Sequence, residues 1–481
     1  MPADIGQDYG YDQERIPASI EKCRELVKGI FKDSSDIIIQ VFETSLEKAM
    51  VVYVDGLINK DLLDRDVIAP LKSRDFNGDL SLTLRTHYKE AEDIQTFIGD
   101  VLLGNTALFY EKSRKVFIVD IKQWDKRSVE TPDVESTIRG PKEGFTESIR
   151  TNTALLRRKI RTPKLIIESL AIGRQTNTPV GIAYVDGIVN QDVLKELRER
   201  ISEIDTDAIL EAGQIEQYLD ENTFSPISGF GVTQRPDYVA RRILEGRVAI
   251  LCDGTPDVLT IPELFMENFH TGEDYYIRPV LASILRILRF LGLFITVMLP
   301  GLAVAVITYN QEMMPAVFLT SLIASTEKTP LPASAEIFFL TLMFELLKEA
   351  GTRLPKTVGS AITIVGALII GDAAVNAGIV SAPAVIIVAL TAVSSFIVPN
   401  LTEYILVYQF LFLILGSTMG LIGIGTGVVI LLTQLISTSS FGIPILSSFS
   451  RQEIKDAIIR FPLGSMKYRP SAIAKDNVRR R

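Results

Sequence analysis

The sequence predicts an α+β protein in which a cytoplasmic N-terminal half of two similar α/β subdomains precedes an α-helical polytopic membrane domain. Three observations predict this fold: an uneven distribution of charge, a repeat within residues 1–283, and long uncharged runs in the C-terminal half. The chain has 481 residues, with 50 Lys and Arg and 58 Asp and Glu. Only 13 of these 108 charged residues fall between positions 284 and 440. A soluble core helix rarely needs an uncharged run of about 20 residues, so these runs indicate membrane spans.

The overall composition excludes several other classes of protein. Two cysteines and two histidines argue against a disulfide framework and a protein-built zinc site. A net charge of −8 argues against nucleic-acid binding, which needs excess Lys and Arg. The chain carries no recognisable catalytic motif, so we expect neither an enzyme nor a cofactor.

The repeat predicts two related subdomains. The segment Tyr53–Asn59 recurs as Tyr184–Asn190, and β-branched residues before each copy and Leu-rich stretches after it indicate a strand, an Asp-Gly turn and a helix. A second pair, Leu102–Leu108 and Leu244–Ile250, indicates a helix that ends at a glycine before a strand. The offset grows from 131 to 142 residues between the two pairs, so the second copy carries an insertion of 11 residues. Asp55 and Asp186 in the turns are either turn formers, the commoner role of an aspartate before a glycine, or ligands of a metal or phosphate.

These patterns divide the chain into six parts. They are an N-terminal arm at 1–34, an α/β subdomain at 35–135, a linker helix at 136–164, a second α/β subdomain at 165–283, a transmembrane domain at 284–440 and a cytoplasmic basic tail at 441–481. The linker helix is expected to begin near Pro141, because proline suits a first helical turn. It is either a charged surface helix docked on a subdomain or a strut whose basic end meets an acidic neighbour in an assembly. Its candidate assembly residues are Arg139, Gly140, Pro141, Asn152 and Arg157.

The uncharged runs predict four membrane crossings, with six as the alternative. The four expected spans are 287–309, 357–379, 383–399 and 405–436. The last would reach about 48 Å as one helix, against a hydrocarbon core of about 30 Å, so it must tilt, protrude or break near its glycines. Basic residues before the first span and in the tail place both termini on the cytoplasmic side, which requires an even number of crossings. The polar first 30 residues do not read as a secretory signal.

Small and polar residues in the membrane domain suggest packing seams and a pore. Four glycines fall at i, i+4, i+7 and i+11, which on one straight helix would form a packing face: Gly416, Gly420, Gly423 and Gly427. Asp372 and Asn376 lie one helical turn apart. Asp372 either snorkels to an interface or lines a water-filled path that favours cations. The aliphatic residues Ile362, Val365 and Ile369 would then form a hydrophobic gate.

The stretch from Met313 to Lys356 interrupts the spans. Pro330 and Pro332 predict an extended bend, and a charged helix from Glu336 to Gly351 follows. We expect this helix to lie along the interface or inside protein. It is either an interfacial hairpin or a mobile re-entrant element beside a pore. The residues assigned to this element are Pro330, Pro332, Glu345, Glu349 and Arg353.

Several motifs resemble the spore germinant receptor A-subunit (GerA-type) family. They are residues 139–145 (RGPKEGF), 150–155 (RTNTAL), 274–276 (DYY), 286–290 (RILRF), 330–332 (PLP), 345–355 (ELLKEAGTRLP), 365–371 (VGALIIG), 440–444 (SFGIP) and 468–470 (YRP). The matches run over most of the chain. Asp372 departs from the family pattern, which often has an uncharged polar residue there.

The resemblance implies a polytopic protein of the spore inner membrane. Its implied partners are membrane lipid, a transporter-like B subunit, a C-subunit lipoprotein and further copies of itself in a ring such as a pentamer. It implies a nutrient-gated cation channel that triggers germination. The alternative is a non-conducting scaffold or signal-amplifying partner within the germination receptor cluster.

Overall fold

The computed structural model describes residues 16–73, 76, 86–123, 139–221, 225–326, 329–353, 371–446, 454–471, 473–474 and 479. Their helices and strands separate into an α/β half, up to residue 278, and a helical half, from residue 279 to residue 437. The predicted order of a mixed α/β region followed by an apolar helical region is therefore confirmed.

The α/β half contains two five-stranded antiparallel sheets. Their strands are β1 Ile37–Glu43, β2 Lys48–Val54, β3 Tyr88–Ala91, β4 Thr106–Tyr110, β5 Val116–Val119, β6 Leu165–Ile172, β7 Thr178–Val185, β8 Gly231–Thr233, β9 Val248–Cys252 and β10 Val258–Ile261. The first sheet has the order β1-β2-β4-β5-β3 and the second has the order β6-β7-β9-β10-β8. These orders are the same when the strands of each sheet are numbered along the chain. The duplication predicted from the sequence repeat is therefore present in the topology.

Helices pack on both sheets. They are α1 Ile20–Phe31, α2 Lys60–Leu63, α3 Ala69–Lys72, α4 Ile94–Leu102, α5 Ile149–Lys159, α6 Gln191–Ser202, α7 Ala212–Leu219 and α8 Pro236–Leu244. The last residue of each repeated motif starts a helix, because the Asn59 side chain accepts a hydrogen bond from the Leu62 amide at 3.0 Å and the Asn190 side chain accepts one from Asp192 at 3.1 Å. Thus the repeat encodes a strand, a turn and a capped helix.

Helix α1 belongs to the first subdomain. Its residues Ile20, Val27 and Phe31 are buried in the same core cluster as residues of β2 and β4. Residues 16–31 are therefore part of this core, whereas the sequence analysis placed them in a separate arm at 1–34. The apolar spacing of α1 buries one face of the helix, which gives it a place in the core.

The linker helix is shorter than expected and is buried. Helix α5 begins at Ile149, and residues 139–148 are irregular, so Pro141 does not start the helix as predicted. The buried Asn152 side chain accepts a hydrogen bond from the Thr146 amide at 2.8 Å and donates one to the Thr146 carbonyl at 2.6 Å. These bonds hold the irregular segment against the helix and satisfy its backbone, so it need not be helical.

The helical half contains helices of very different lengths. They are α9 Pro279–Tyr309, α10 Ala316–Thr326, α11 Ala333–Thr352, α12 Ala382–Ser395 and α13 Thr402–Ser437, and residues 371–376 are also helical. Two stretches of the described chain are long and apolar enough to cross a bilayer, Pro279–Tyr309 and Pro399–Ser437. The predicted span at 357–379 lies mostly outside the described residues. Helix α12, with 14 residues, is shorter than the span predicted at 383–399.

Helix α13 is a hairpin with two legs. Gly420 has φ 61° and ψ −140°, a backbone conformation essentially restricted to glycine, and it separates helical residues 402–419 from 421–437. The legs fold back on each other, because the side chains of Tyr408 and Gln434 are in contact. In one straight helix these two residues would be about 39 Å apart. The sequence left tilting, protrusion and a break open for the overlong last span. The structure shows that the chain breaks at a glycine.

The chain returns to the α/β half after the second leg. Short strands β11 Ser439–Ser440 and β12 Ile443–Pro444 pair with each other. Phe441 and Ile443 enter the core of the second subdomain, where the Phe441 ring lies 5.7 Å from that of Phe230. The first part of the predicted tail, residues 441–445, is therefore a folded element. Its apolar residues explain why it packs there.

Candidate functional site at the base of the first apolar helix

A network of charged side chains lies where helix α9 leaves the α/β half. We call it the junction network, and its members are Arg241, Arg242, Glu245, Arg247, Glu263, Glu267, Asp274, Arg286, Arg289 and Asp456. They come from helix α8 and the turn that follows it, from the loops after β10, from the first turns of α9 and from the short helix α14 Ile454–Ala457. The network therefore joins four separate parts of the chain.

Asp274 lies at the centre of the network and is fully buried. Its carboxylate accepts a hydrogen bond from Arg286 Nε at 3.0 Å and one from Arg289 Nη1 at 2.9 Å. It also accepts a hydrogen bond from the Thr271 hydroxyl at 3.1 Å. Arg286 is itself only 1% exposed, so its charge depends on such partners. The start of α9 is thus fixed to the loop before it by paired buried charges.

Asp456 brings the C-terminal segment into the network. Its carboxylate accepts from Arg286 Nη1 at 3.0 Å and from the Tyr275 hydroxyl at 3.1 Å. His270 Nε2 donates to the Ala457 carbonyl oxygen at 2.7 Å. Burial, followed by the nearby Arg286 charge, lowers the pKa of His270 well below its usual value. This histidine is therefore neutral at neutral pH and serves as a hydrogen-bond donor.

A second cluster of the network is centred on Arg242 of helix α8 and on Arg247. Arg242 contacts Glu263 Oε1 at 2.7 Å and Glu267 Oε2 at 2.5 Å, and Arg247 contacts Glu245 at 2.7 Å and also Glu267. Burial raises the pKa of Glu263 to about 7, and the Glu267 charge adds to this effect. Burial also acts on Glu267, but the charges of Arg242 and Arg247 outweigh it and lower the pKa of Glu267.

The arrangement couples the two halves of the chain mechanically. A buried ion pair is costly to break, because each separated charge stays uncompensated in a low-dielectric environment. Any tilt of α9 relative to the second subdomain must move Arg286 away from Asp274 or carry both along. The junction network therefore holds the base of α9 to the chain segments around it.

The structure places Asp372 and Asn376 on the outside of the helical half. Both side chains are exposed in the single chain, one helical turn apart. The proposed gate residues Ile362, Val365 and Ile369 lie outside the described residues. Asp372 and Asn376 are thus brought together on one exposed helix face.

The predicted re-entrant element is part of the helical bundle. Pro330 and Pro332 precede helix α11, and Pro332 occupies its N-cap position. Glu349 accepts from Arg353 Nε at 2.8 Å, as predicted from their spacing, and this pair is exposed. Glu345 pairs with Lys348 at 2.7 Å. Helix α11 packs on α12 and α9 through Ile337 and Leu340.

The four glycines of the predicted packing face contact different neighbours. They do not share one face, because the helix breaks at Gly420. The α-carbon of Gly416 lies against the Gly301 backbone of α9, and Gly420 lies against the Tyr309 ring. Gly423 approaches the backbone of the opposite leg, and a Cβ on Gly427 would be 2.8 Å from the Phe412 ring. All four therefore lie at close helix contacts.

The candidate assembly residues of the linker make contacts within the chain. Arg157 is fully buried and makes a two-fold contact with Asp36, Nε to Oδ2 at 2.7 Å and Nη2 to Oδ1 at 2.8 Å. Its guanidinium also donates to the Leu165 carbonyl at 3.0 Å. Arg157 thus joins the first subdomain to β6 of the second and does not extend a basic end toward a neighbour, which corrects the strut interpretation for this residue.

The N-terminal part of the linker lies near the base of α9. A Cβ on Gly140 would be 2.7 Å from the Tyr276 ring, and the Pro141 carbonyl accepts from Arg235 at 3.4 Å. Arg139 is exposed beside them. This segment therefore borders the loop that carries Asp274.

Sequence reasoning missed two features. Arg286 and Arg289 were used to orient the first span and as part of a family motif, but no acidic partner was sought for them, although an arginine in an apolar helix requires one. Glu336 was treated as the start of a charged helix. It is fully buried, its Oε2 accepts from the Ser381 amide at 3.0 Å and hydroxyl at 2.6 Å, and its Oε1 accepts no hydrogen bond from the described residues. An isolated acid in an apolar run was the signal for it.

Comparison with known proteins gives a consistent result over almost the whole chain. The family described as Bacillus/Clostridium GerA spore germination protein matches residues 25–472. The uncharacterized membrane protein YfkQ of Bacillus subtilis (strain 168) is 40% identical, over 97% of this chain and 94% of that protein. Spore germination protein KA of the same organism is 39% identical, over 96% of this chain and 88% of that protein.

A solved structure is also similar in sequence. The crystal structure of the N-terminal domain of the A subunit of the Bacillus megaterium spore germinant receptor GerK3 shares 32% identity, with 52% of this chain and 98% of that chain covered and a TM-score of 0.41. The family match, which spans both halves of the fold, agrees with the motifs identified in the sequence. This chain belongs to the GerA family of spore germination proteins.

Proposed function

We propose that this chain is the A-type subunit of a germinant receptor and that several copies form a ring around a cation-conducting passage. Opening of the passage would begin germination. The helical half would lie in the spore inner membrane, and the α/β half and the C-terminal segment would lie in the cytoplasm. Family membership, the relatives named as germination proteins and the two apolar stretches support this proposal.

The exposed position of Asp372 carries the conduction part of the proposal. This carboxylate lies on the outside of one chain's bundle, in the long stretch between Lys356 and Glu403 that has no other charge. A carboxylate facing lipid costs about 2.5–3.5 kcal/mol on insertion scales, whereas one facing water between copies does not. Asn376 lies on the same exposed face. A ring of copies would give a polar, acidic wall that favours cations.

The directions of the helices favour six crossings. Helix α12 runs opposite to α9, because the Thr296 hydroxyl lies 3.5 Å from the Thr391 carbonyl and Gly292 borders Ser394. Helix α11 runs parallel to α12, because Glu336 binds the start of α12 and Phe344 stacks near its end. Two consecutive membrane helices that run parallel need a return passage between them, which supports the six-crossing alternative. With the two legs of α13, this gives six passages and returns the chain to the α/β half.

The resemblance extends the proposal to partners. In such a receptor, this chain would assemble with a transporter-like B subunit, which would bind the nutrient, and with a C-subunit lipoprotein. We place no nutrient-binding role and no catalytic role on this chain. The junction network would carry the signal, because it connects α9 to the α/β half and to the C-terminal segment.

Conduction by purified protein in planar bilayers tests the function. We expect the chain to pass monovalent cations, and we expect Asp372→Asn to lower the cation-to-anion permeability ratio severalfold. Glu203→Gln, which removes an exposed carboxylate of the α/β half at the end of α6, is the matched control and should leave the ratio unchanged. The scaffold alternative would be supported instead if the purified oligomer conducts no ions and if spores germinate fully after the spans are replaced by unrelated ones.

A further inference from the structure

A cavity of about 510 Å³ lies where the second subdomain meets the start of α13. Its walls come from residues 226–238, from the loop at 268–273 and from the turn at 399–404. Ordinary small-molecule sites have volumes of roughly 300–1,000 Å³, whereas one water occupies about 30 Å³. The cavity thus has room for a small organic molecule.

One wall of the cavity is acidic. Glu216, Glu263 and Glu403 line it. Glu216 accepts a hydrogen bond from the Ser228 hydroxyl at 2.6 Å, and no ion pair to Glu216 is present among the described residues. Burial, and then neighbouring carboxylates, raise the pKa of Glu216. This wall therefore favours a positive charge.

Glu263 adds an unsatisfied oxygen to the same wall. Its side chain is buried, and its Oε1 accepts from Arg242 at 2.7 Å. Its Oε2 accepts no hydrogen bond from the described residues and lies close to Gly231, another residue of the wall. A buried polar atom without a partner costs about 1–3 kcal/mol, and more when it is charged, so it indicates a missing donor.

The cavity's two basic residues are already engaged. Arg235 pairs with Asp237 at 2.8 Å, and Arg289 pairs with Asp274 at 2.9 Å. The acidic wall is therefore not neutralised from within the cavity. Glu263 is paired with Arg242, but Glu216 has no ion-pair partner among the described residues, so an anionic ligand would meet an uncompensated carboxylate.

Another wall carries an apolar patch, formed by Ile227, Phe230, Leu401 and Tyr404, beside polar residues such as Asn400 and Thr402. We propose that this cavity binds a small organic cation, whose ammonium group lies between Glu216 and Glu263 and whose apolar body packs against this wall. The occupant would touch the second subdomain and the base of α13 at once. Its binding would favour the arrangement in which these two parts are together, whether or not the chain conducts ions.

Titration calorimetry on the full-length protein in lipid nanodiscs tests this site, with n-butylammonium chloride as the probe and n-butanol as its uncharged counterpart. We expect n-butylammonium to bind and n-butanol to bind at least tenfold more weakly. Glu216→Gln and Glu263→Gln should each weaken n-butylammonium binding at least tenfold. Glu203→Gln, at an exposed site at the end of α6, is the control and should bind as the unmodified chain does.

Four results would overturn the proposal. The first three are no binding of n-butylammonium, equally strong binding of n-butanol, and unchanged affinity in both cavity variants. The fourth is displacement of n-butylammonium by potassium chloride at equal concentration, which would indicate a site for a bare ion. If Glu263→Gln fails to fold because Arg242 loses one of its two carboxylate partners, Glu216→Gln decides the matter. The Glu216 carboxylate accepts a hydrogen bond from Ser228, so replacing it by glutamine leaves no buried cation without its partner. The binding readout is independent of conduction, so failure of one proposal does not decide the other.

Discussion

Neutralising Asp274 should loosen the base of α9 more than neutralising Asp456 does. Both aspartates pair with Arg286, at 3.0 Å in each case, but the Asp274 side chain is 0% exposed and the Asp456 side chain is 22% exposed. In Asp274→Asn, two guanidinium groups, those of Arg286 and Arg289, lose their common carboxylate. In Asp456→Asn, water can reach the altered side chain.

The magnitude follows from burial. Removing one partner of a buried ion pair costs about 3–5 kcal/mol, whereas losing a hydrogen bond to a charged group at a partly exposed site costs about 1.5 kcal/mol. Since 1.36 kcal/mol corresponds to one power of ten, local opening should become about two to four powers of ten more frequent in Asp274→Asn. The increase should be about one power of ten in Asp456→Asn.

Hydrogen exchange followed by mass spectrometry on the full-length protein measures this opening directly. We expect faster exchange at the amides of residues 270–290 in Asp274→Asn, with the sheets unchanged. The double variant Asp274→Asn with Arg286→Met should recover part of the protection, because it removes one uncompensated charge. Equal acceleration in the two single variants would refute the reasoning, since burial would then not determine the strength of the junction.

Three further predictions concern other parts of the fold. The folded pKa of Glu263, about 7, lies above the 4.5 of a free glutamate, so its contribution to stability is present below pH 4.5 and is lost as the pH rises through 7. In urea unfolding, we compare the free energy of unfolding of Glu263→Gln with that of the unmodified chain. The difference should shift in favour of the variant by on the order of 3 kcal/mol from pH 5 to pH 8, and a difference that stays constant with pH would contradict this. Gly420→Ala should destabilise the hairpin by about 1–3 kcal/mol because of its positive φ, as measured by thermal unfolding in detergent. Gly425→Ala, where a Cβ meets nothing within 4 Å, should be neutral, and equal losses would rule out the strained turn. Arg157→Met leaves a buried aspartate unpaired and should cost about 3–5 kcal/mol in chemical unfolding, whereas Lys32→Met, at an exposed pair, should cost under about 1 kcal/mol; similar costs would count against the buried bridge.

The sequence predicted the duplication well because the signals for it are local. The YVDG turn and the asparagine cap of each copy act within a few residues, and they recur in both subdomains. The choice among tilt, protrusion and a break in the last span depended on Gly420, whose conformation is set by contacts with Tyr309 and the opposite leg. One-dimensional patterns contain no information about those contacts.

The candidate sites show the same division between local and long-range information. Glu349 and Arg353 pair as their four-residue spacing predicts. Arg157 was a candidate assembly residue because it lies near the basic end of the linker helix, but its partner, Asp36, lies 121 residues away in the same chain. The junction network likewise joins Arg286 to Asp456, 170 residues away. Pairings at such separations follow from the fold and not from spacing.

The return of residues 438–445 to the second sheet has a consequence for biosynthesis. Phe441 and Ile443 complete a core whose other members, such as Phe230, leave the ribosome some 200 residues earlier. The second subdomain therefore cannot close its core until the apolar helices have been translated. We expect the nascent second subdomain to keep an uncovered apolar patch until then, so that successful insertion of the helices is what allows this subdomain to mature.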